Sequence, residues 1–203
     1  GNSLKNCTAL THITFGFHFN QPLENSLDNC TSLTILVFGE RFNQPLDNAL
    51  NNCPELTHIT FGSEFNQPLA NALNNCTSLT HINFGRDFSQ PLLNSFDKLS
   101  SLTHINFGGG FNQPLGNALN NCTSLTHLTF GYYFNQPLTN LLNHCQSLVY
   151  IELGNEFNQK CDLPVNVRYL RLNCNNKYLV ENLPSSIEEI ELREYFSLEL
   201  DNL

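Results

Sequence analysis

Methionine and tryptophan are both absent from the chain, and only 13% of its 203 residues are charged, about half the usual share. A translation product begins with Met, so the 203 residues are expected to be a processed form or an expressed piece of something longer. Basic residues are scarce: nine Lys and Arg stand against 18 Asp and Glu, for a net charge of −9. A nucleic-acid partner needs clustered Lys and Arg on its phosphates, so that class is excluded. No apolar run approaches the roughly 18 residues of a membrane-spanning helix, and no signal-peptide pattern precedes the first repeat. The expectation is therefore no membrane partner and a cytoplasmic protein, in the host cytoplasm if the source is viral.

Asn, Leu, Phe and Thr fill the space left by the charges, and they recur. Phe-Asn-Gln-Pro-Leu begins at Phe19, Phe42, Phe65, Phe111 and Phe134, with a Ser89 variant at Phe88 and a truncated copy at Phe157. The spacing is 23 residues throughout. Within one copy, Leu56, Ile59 and Phe61 have the L-x-x-L-x-L spacing of a leucine-rich repeat. Ile59 and Phe61 alternate with His58 and Thr60, as in a short strand with one buried face. Gly62 and its counterparts from Gly16 to Gly154 end each strand, which implies positive φ or close backbone packing at a corner. Leu69, Leu73 and Cys76 lie at i, i+4 and i+7, which predicts one or two turns of helix entered at Pro68. A single unit cannot bury its own apolar face, so the units stack in parallel. The predicted fold class is an α/β solenoid, a right-handed superhelix with a parallel sheet on one face and short helices or turns on the other. It forms a single repeat array over 1–203: regular 23-residue repeats to 160, then 20-residue repeats over 161–203. Nine strands are expected, opening at Leu10, Leu33, Leu56, Leu79, Leu102, Leu125, Leu148, Val167 and Ile187.

Columns of equivalent residues supply the candidate sites. The Phe column (Phe19, Phe42, Phe65, Phe88, Phe111, Phe134, Phe157) is assigned to the core. The Asn column (Asn20, Asn43, Asn66, Asn112, Asn135, Asn158) is assigned to satisfying corner backbone groups of its own coil and the next. Six of the eight Cys share a column in which Leu99 takes one place. That makes it a core position for free thiols rather than a disulfide framework. His58, His81, His104 and His127 alternate with buried residues and so face outward on adjacent strands, where their rings can stack. With Tyr132, Tyr133, Tyr150 and Arg86 they are the candidate partner-binding residues, since Tyr suits interface anchoring. A zinc site needs about four converging ligands, and no acid accompanies the His run, so no metal and no cofactor are expected. Each Cys and His recurs with equivalent neighbours, whereas an active site needs one asymmetric constellation. The expectation is not an enzyme. From Glu181 onward seven acids stand against Arg193 alone; that segment is either a solvated end or a dock for a basic partner.

Phe-Asn-Gln-Pro-Leu, preceded by Ser-Leu-Thr-His-Ile-x-Phe-Gly, resembles the FNIP repeat family of giant-virus and slime-mould proteins, over about Leu10 to Phe157. From Leu163 the pattern departs, although Leu183 to Ile187 reads Leu-Pro-Ser-Ser-Ile, typical of such arrays. The Cys-x-Ser-Leu-Thr-x-Ile register also resembles BspA-type leucine-rich repeats of surface proteins. The resemblance implies a protein-interaction scaffold, sometimes following an F-box that recruits a ubiquitin ligase, and on that reading the chain is the substrate-recognition part of such an adaptor. A purely structural array or surface adhesin-type module is the alternative reading, and a metal-binding His ladder is the second. Residues 1–7 align with 24–30 and residues 196–202 with 42–48, so both ends fall in mid-repeat with no polar cap. Self-association through the repeat ends is expected from such faces.

Overall fold

The structure is a computed structural model that describes residue 4, residues 6–193 and residues 196 and 197. The end alignments noted above therefore lie largely outside the described residues. Among the described residues, nine short strands form one parallel sheet in chain order: β1 (His12–Thr14), β2 (Ile35–Val37), β3 (His58–Thr60), β4 (His81–Asn83), β5 (His104–Asn106), β6 (His127–Thr129), β7 (Tyr150–Leu153), β8 (Tyr169–Leu172) and β9 (Glu189–Leu192). Equivalent residues pair directly, as in His58 with His81 and Ile59 with Ile82. Each of the first seven strands begins two residues after the expected Leu. The Thr34 carbonyl accepts from both Thr57 N and His58 N, so regular ladder pairing starts only at the His.

The strand Ile, the two Phe and the flanking Leu of each interior regular coil are buried, as are Leu69, Leu73 and Cys76 on the far side. Phenylalanine stacks in two columns. Phe61, Phe84 and Phe107 repeat at 5.4 and 5.6 Å, and Phe65, Phe88 and Phe111 at 6.0 Å. On the opposite side of the sheet the His58, His81 and His104 rings repeat at 4.2 Å. The distance between equivalent rings measures the local advance from coil to coil. That advance grows from the His face inward, so the solenoid bends with the His face concave.

The helices expected on the far side are not there. Across 69–79 the chain makes successive turns, with Ala72 N donating to the Leu69 carbonyl, Cys76 N to Leu73 and Leu79 N to Cys76. The residue after the buried Leu takes a left-handed conformation at Glu24, Asp47, Ala70, Leu93 and Gly116, with φ between 42° and 53°. This interrupts any helix. The hydrogen bonds after that residue run from i to i+3, as in Ala72 N to Leu69 O and Cys76 N to Leu73 O, so the segment closes as successive turns and no α-helical ladder starts. Among the described residues, helix is confined to a 3₁₀ turn at Leu141–His144 and a five-residue α1 at Lys177–Glu181, where Asn176 caps Leu179 N.

The corner glycines are required by close approach. A Cβ at Gly39, Gly62, Gly85, Gly108, Gly131 or Gly154 would lie 1.8–2.3 Å from the glycine carbonyl oxygen of the preceding coil. Beside them, Asn43 Oδ1 accepts from Asn66 N at 2.9 Å and from Gln67 Nε2 at 2.9 Å. The same pair of bonds recurs from Asn20, Asn66, Asn112 and Asn135. One amide oxygen thus ties two groups of the next coil at each of these rungs.

Candidate functional site: the concave sheet face

The histidines are brought together. His58, His81, His104 and His127 stack at 4.2 Å with planes within 10–12°. Tyr150 extends the stack, 5.4 Å from His127. Each ring is held in orientation by the Thr before it. Nδ1 lies 2.8 Å from Thr57 and Thr80 Oγ1 and 2.9 Å from Thr103 and Thr126 Oγ1. Each Thr hydroxyl in turn donates to the Thr carbonyl one coil back, at 2.9–3.0 Å. Sequence reasoning passed over these threonines, although a Thr precedes every His of the column. Burial between neighbouring rings, and their like charge if protonated, lower the His81 pKa and bring that of His104 down to about 4; burial lowers that of His127. Rings in parallel planes aim their lone pairs side by side, and among the described residues no three His, Cys, Asp or Glu converge on a metal position.

The face changes character at β7. Tyr150 donates to Glu152 Oε2 at 3.1 Å. Arg171 on β8 lies between Glu152 and Glu191, with Nη1 3.4 Å from Glu152 and Nε 2.6 Å from Glu191. Arg193 Nε reaches Glu191 at 3.0 Å. Burial, together with the Glu152 charge, pushes the Tyr150 hydroxyl up to about 12. This network was missed in the sequence. Its signal was there: the column two residues past the His reads Glu152, Arg171, Glu191 on successive strands.

The other candidates lie off the stack. Tyr132 and Tyr133 are exposed on the turn after β6 and pack edge-on at 4.8 Å; among the described residues no ring contact joins them to Tyr150. Arg86 occupies the equivalent turn after β4 and pairs with Asp87 at 2.9 Å. Seven of the eight cysteines are buried, and all are free thiols; burial pushes Cys53, Cys76 and Cys122 up to about 12. Of the acidic C-terminal segment, Glu194, Glu199 and Asp201 lie outside the described residues. Within them Glu181 pairs with Lys177 and Glu188 with Arg168. No described helix is long and apolar enough to cross a membrane.

The BspA type leucine rich repeat region matches residues 1–91 and 47–161. The FNIP repeat matches residues 157–195. The FNIP match therefore runs from the truncated Phe157 copy through the short coils with Leu-Pro-Ser-Ser-Ile, C-terminal to the span of Leu10 to Phe157 over which it was expected. CroV588, a giant-virus protein with a circular leucine-rich-repeat structure, is 34% identical, with a TM-score of 0.75 over 93% of this chain. A chain of the Drosophila Toll–Spatzle complex gives 0.75 at 18% identity over 96% of this chain, and an internalin (inlF) of Listeria monocytogenes 0.60 at 16% over 91%. The chain spans 31%, 28% and 61% of these three in turn. None of the curated proteins matches it. On the repeat pattern and the sheet it builds, the chain belongs to the BspA-type leucine-rich-repeat family.

Proposed function

We propose that this chain is a protein–protein interaction array that takes its partner on the concave sheet face. The observation that carries the reading is the His58–His127 stack, a polar surface repeated at 4.2 Å and bordered by exposed Asn83 and Asn106. Folds of this kind commonly serve protein binding, and the Toll–Spatzle complex is a protein assembly built with one. A cytoplasmic setting is part of the proposal, supported by eight cysteines that remain thiols. So is a role in substrate recognition beside a ubiquitin ligase, which rests on the FNIP match and is tested by co-purification of ligase subunits. Self-association of the array is also part of the proposal, tested by sedimentation at rising concentration. The central test places a photo-crosslinking residue at Asn106 or, on the opposite side of the coil, at exposed Asn71. Partner adducts should form from position 106 and not from 71. Adducts confined to position 71 would move the binding surface off the sheet.

A further inference from the structure

The hydrogen bonds around the stack decide which imidazole nitrogen carries the proton. A Thr hydroxyl has one hydrogen. At Thr57, Thr80, Thr103 and Thr126 it is donated to a backbone carbonyl, which can only accept. The same oxygen, 2.8–2.9 Å from the Nδ1 of the following His, must therefore accept, and Nδ1 must donate. A neutral imidazole has one N–H, so Nε2 is bare in all four rings. Among the described residues nothing donates to these Nε2 atoms, and none of them is a buried atom lacking a partner; they face solvent. The result is four lone pairs in a row, spaced by the ring repeat of 4.2 Å.

Such a row accepts hydrogen bonds and cannot give them. The parallel planes keep the lone pairs from meeting on one ion. What fits is a series of separate donors, one for each rung. The column beside the rings, Thr60, Asn83, Asn106 and Thr129, is uncharged, so nothing beside the rings repels a cation. The chain as a whole carries −9, which favours cationic donors. We propose, resting on the sheet-face reading above, that the His58–His127 row receives the Arg and Lys side chains of a basic peptide segment, each N–H donor seated on an Nε2.

The probe is a hexa-arginine amide, titrated into the protein at about 0.15 M salt, where distant charges are screened. The double variant His81→Phe/His104→Phe keeps flat stacked rings and the net charge but removes two acceptors. Its affinity should fall about tenfold or more, as expected when charge-assisted hydrogen bonds are lost. Equal affinity in parent and variant would show diffuse attraction to an acidic protein and overturn the proposal. No binding by the parent would overturn it as well, while crosslinking at position 106 still decides the sheet-face reading separately. If the variant does not fold, imidazole ¹⁵N spectra of the parent decide. They should show protonated Nδ1 and bare Nε2, with the Nε2 signals moving on peptide addition. Protonated Nε2, or Nε2 signals that ignore the peptide, would overturn it.

Discussion

The seven 23-residue coils and the two shorter coils that follow solve one problem in different ways. In a stack of equal coils every side chain faces its own kind. Asn, Thr, Phe and the Thr–His pair are compatible with that: an amide or hydroxyl both donates and accepts, and aromatic rings stack. A charged residue repels its copy on the next strand. The regular region accordingly builds its sheet columns from neutral residues, which contributes to the low charged content. Charges enter the sheet columns only where the repeat breaks, and there they alternate in sign, Glu152, Arg171, Glu191. In the sheet columns regularity and charge exclude each other, while the turns of the regular coils still carry charges in register, as at Glu24 and Asp47.

The largest expected difference between the regions concerns the core. Phe107 is buried between stacked neighbours, and Phe107→Ala should cost about 3–5 kcal/mol. Leu192 in the last strand is only partly covered, so Leu192→Ala should cost roughly half as much or less. Denaturant melts of the two variants make the comparison. Equal losses would mean that the short coils are packed as tightly as the regular ones.

Next comes the glycine column. Gly85→Ala places a methyl 1.8 Å from the Gly62 carbonyl oxygen, and pushing the coils apart should cost about 3 kcal/mol. At Gly16 a Cβ meets nothing within 4 Å, so Gly16→Ala should be nearly neutral. A neutral Gly85→Ala in thermal melts would show that close approach does not hold this column to glycine.

The neutral columns also make the regular region sensitive to acid. Above the unfolded His pKa of about 6.5, folded and unfolded chains are both neutral at the ladder, and stability there is flat with pH. Below it the unfolded histidines bind protons while the stacked ones, with His81, His104 and His127 shifted down, do not. Stability therefore falls with pH from about 6.5 until His104 titrates near 4. The charged side chains of the strands that continue the sheet, Glu152 and Arg171, lie at the Tyr150 end of the stack. After allowance for solvent screening the loss should total about 2 kcal/mol. A variant with Asn at all four positions should melt independently of pH between about 7.5 and 5. A parallel decline in both proteins would remove the ladder as the cause.

In the short coils the expected effect is smaller and depends on salt. Arg171 is largely covered and touches two carboxylates, so Arg171→Ala should cost about 1 kcal/mol. The cost should shrink at about 1 M salt. Losses at His81→Asn, measured at pH 8, should not respond to salt. An Arg171 effect that ignores salt would point to packing rather than charge.

The strand order, the buried columns and the outward His stack were legible because a 23-residue repeat leaves each side chain one equivalent place. Misread instead was the far side of the coil, where Leu69, Leu73 and Cys76 satisfy helical spacing and a run of turns equally well. What decides between them is the left-handed residue after the buried Leu, as at Ala70, and residue type does not announce it, since Glu, Asp, Ala, Leu and Gly all hold that place. The Arg171 network escaped for the reverse reason: it depends on pairing across coils 19 and 20 residues apart, where the repeat no longer lines up residues by eye.

The last comparison probes a blemish inside the regular region. The coil after β4 carries Ser89 in the Asn column and Ser95 where Ala49, Ala72 and Ala118 stand in other coils. Ser89 holds Asn112 N at 3.2 Å, against the 2.9 Å that Asn43 gives Asn66 N. Ser95 Oγ is the buried side-chain polar atom without a hydrogen bond among the described residues. A buried hydroxyl with no partner is destabilising, and Ala removes it while leaving a side chain the column already accepts. Ser95→Ala should therefore stabilise the protein, by about 1 kcal/mol, and Ser89→Asn by about 0.5 kcal/mol through the restored pair of bonds. The two sites touch different ladders, so the double variant should show the sum. Thermal melts of the three proteins check this. If Ser95→Ala loses stability instead, its hydroxyl has a partner in solution, and this coil is a specialised rung rather than an imperfect copy.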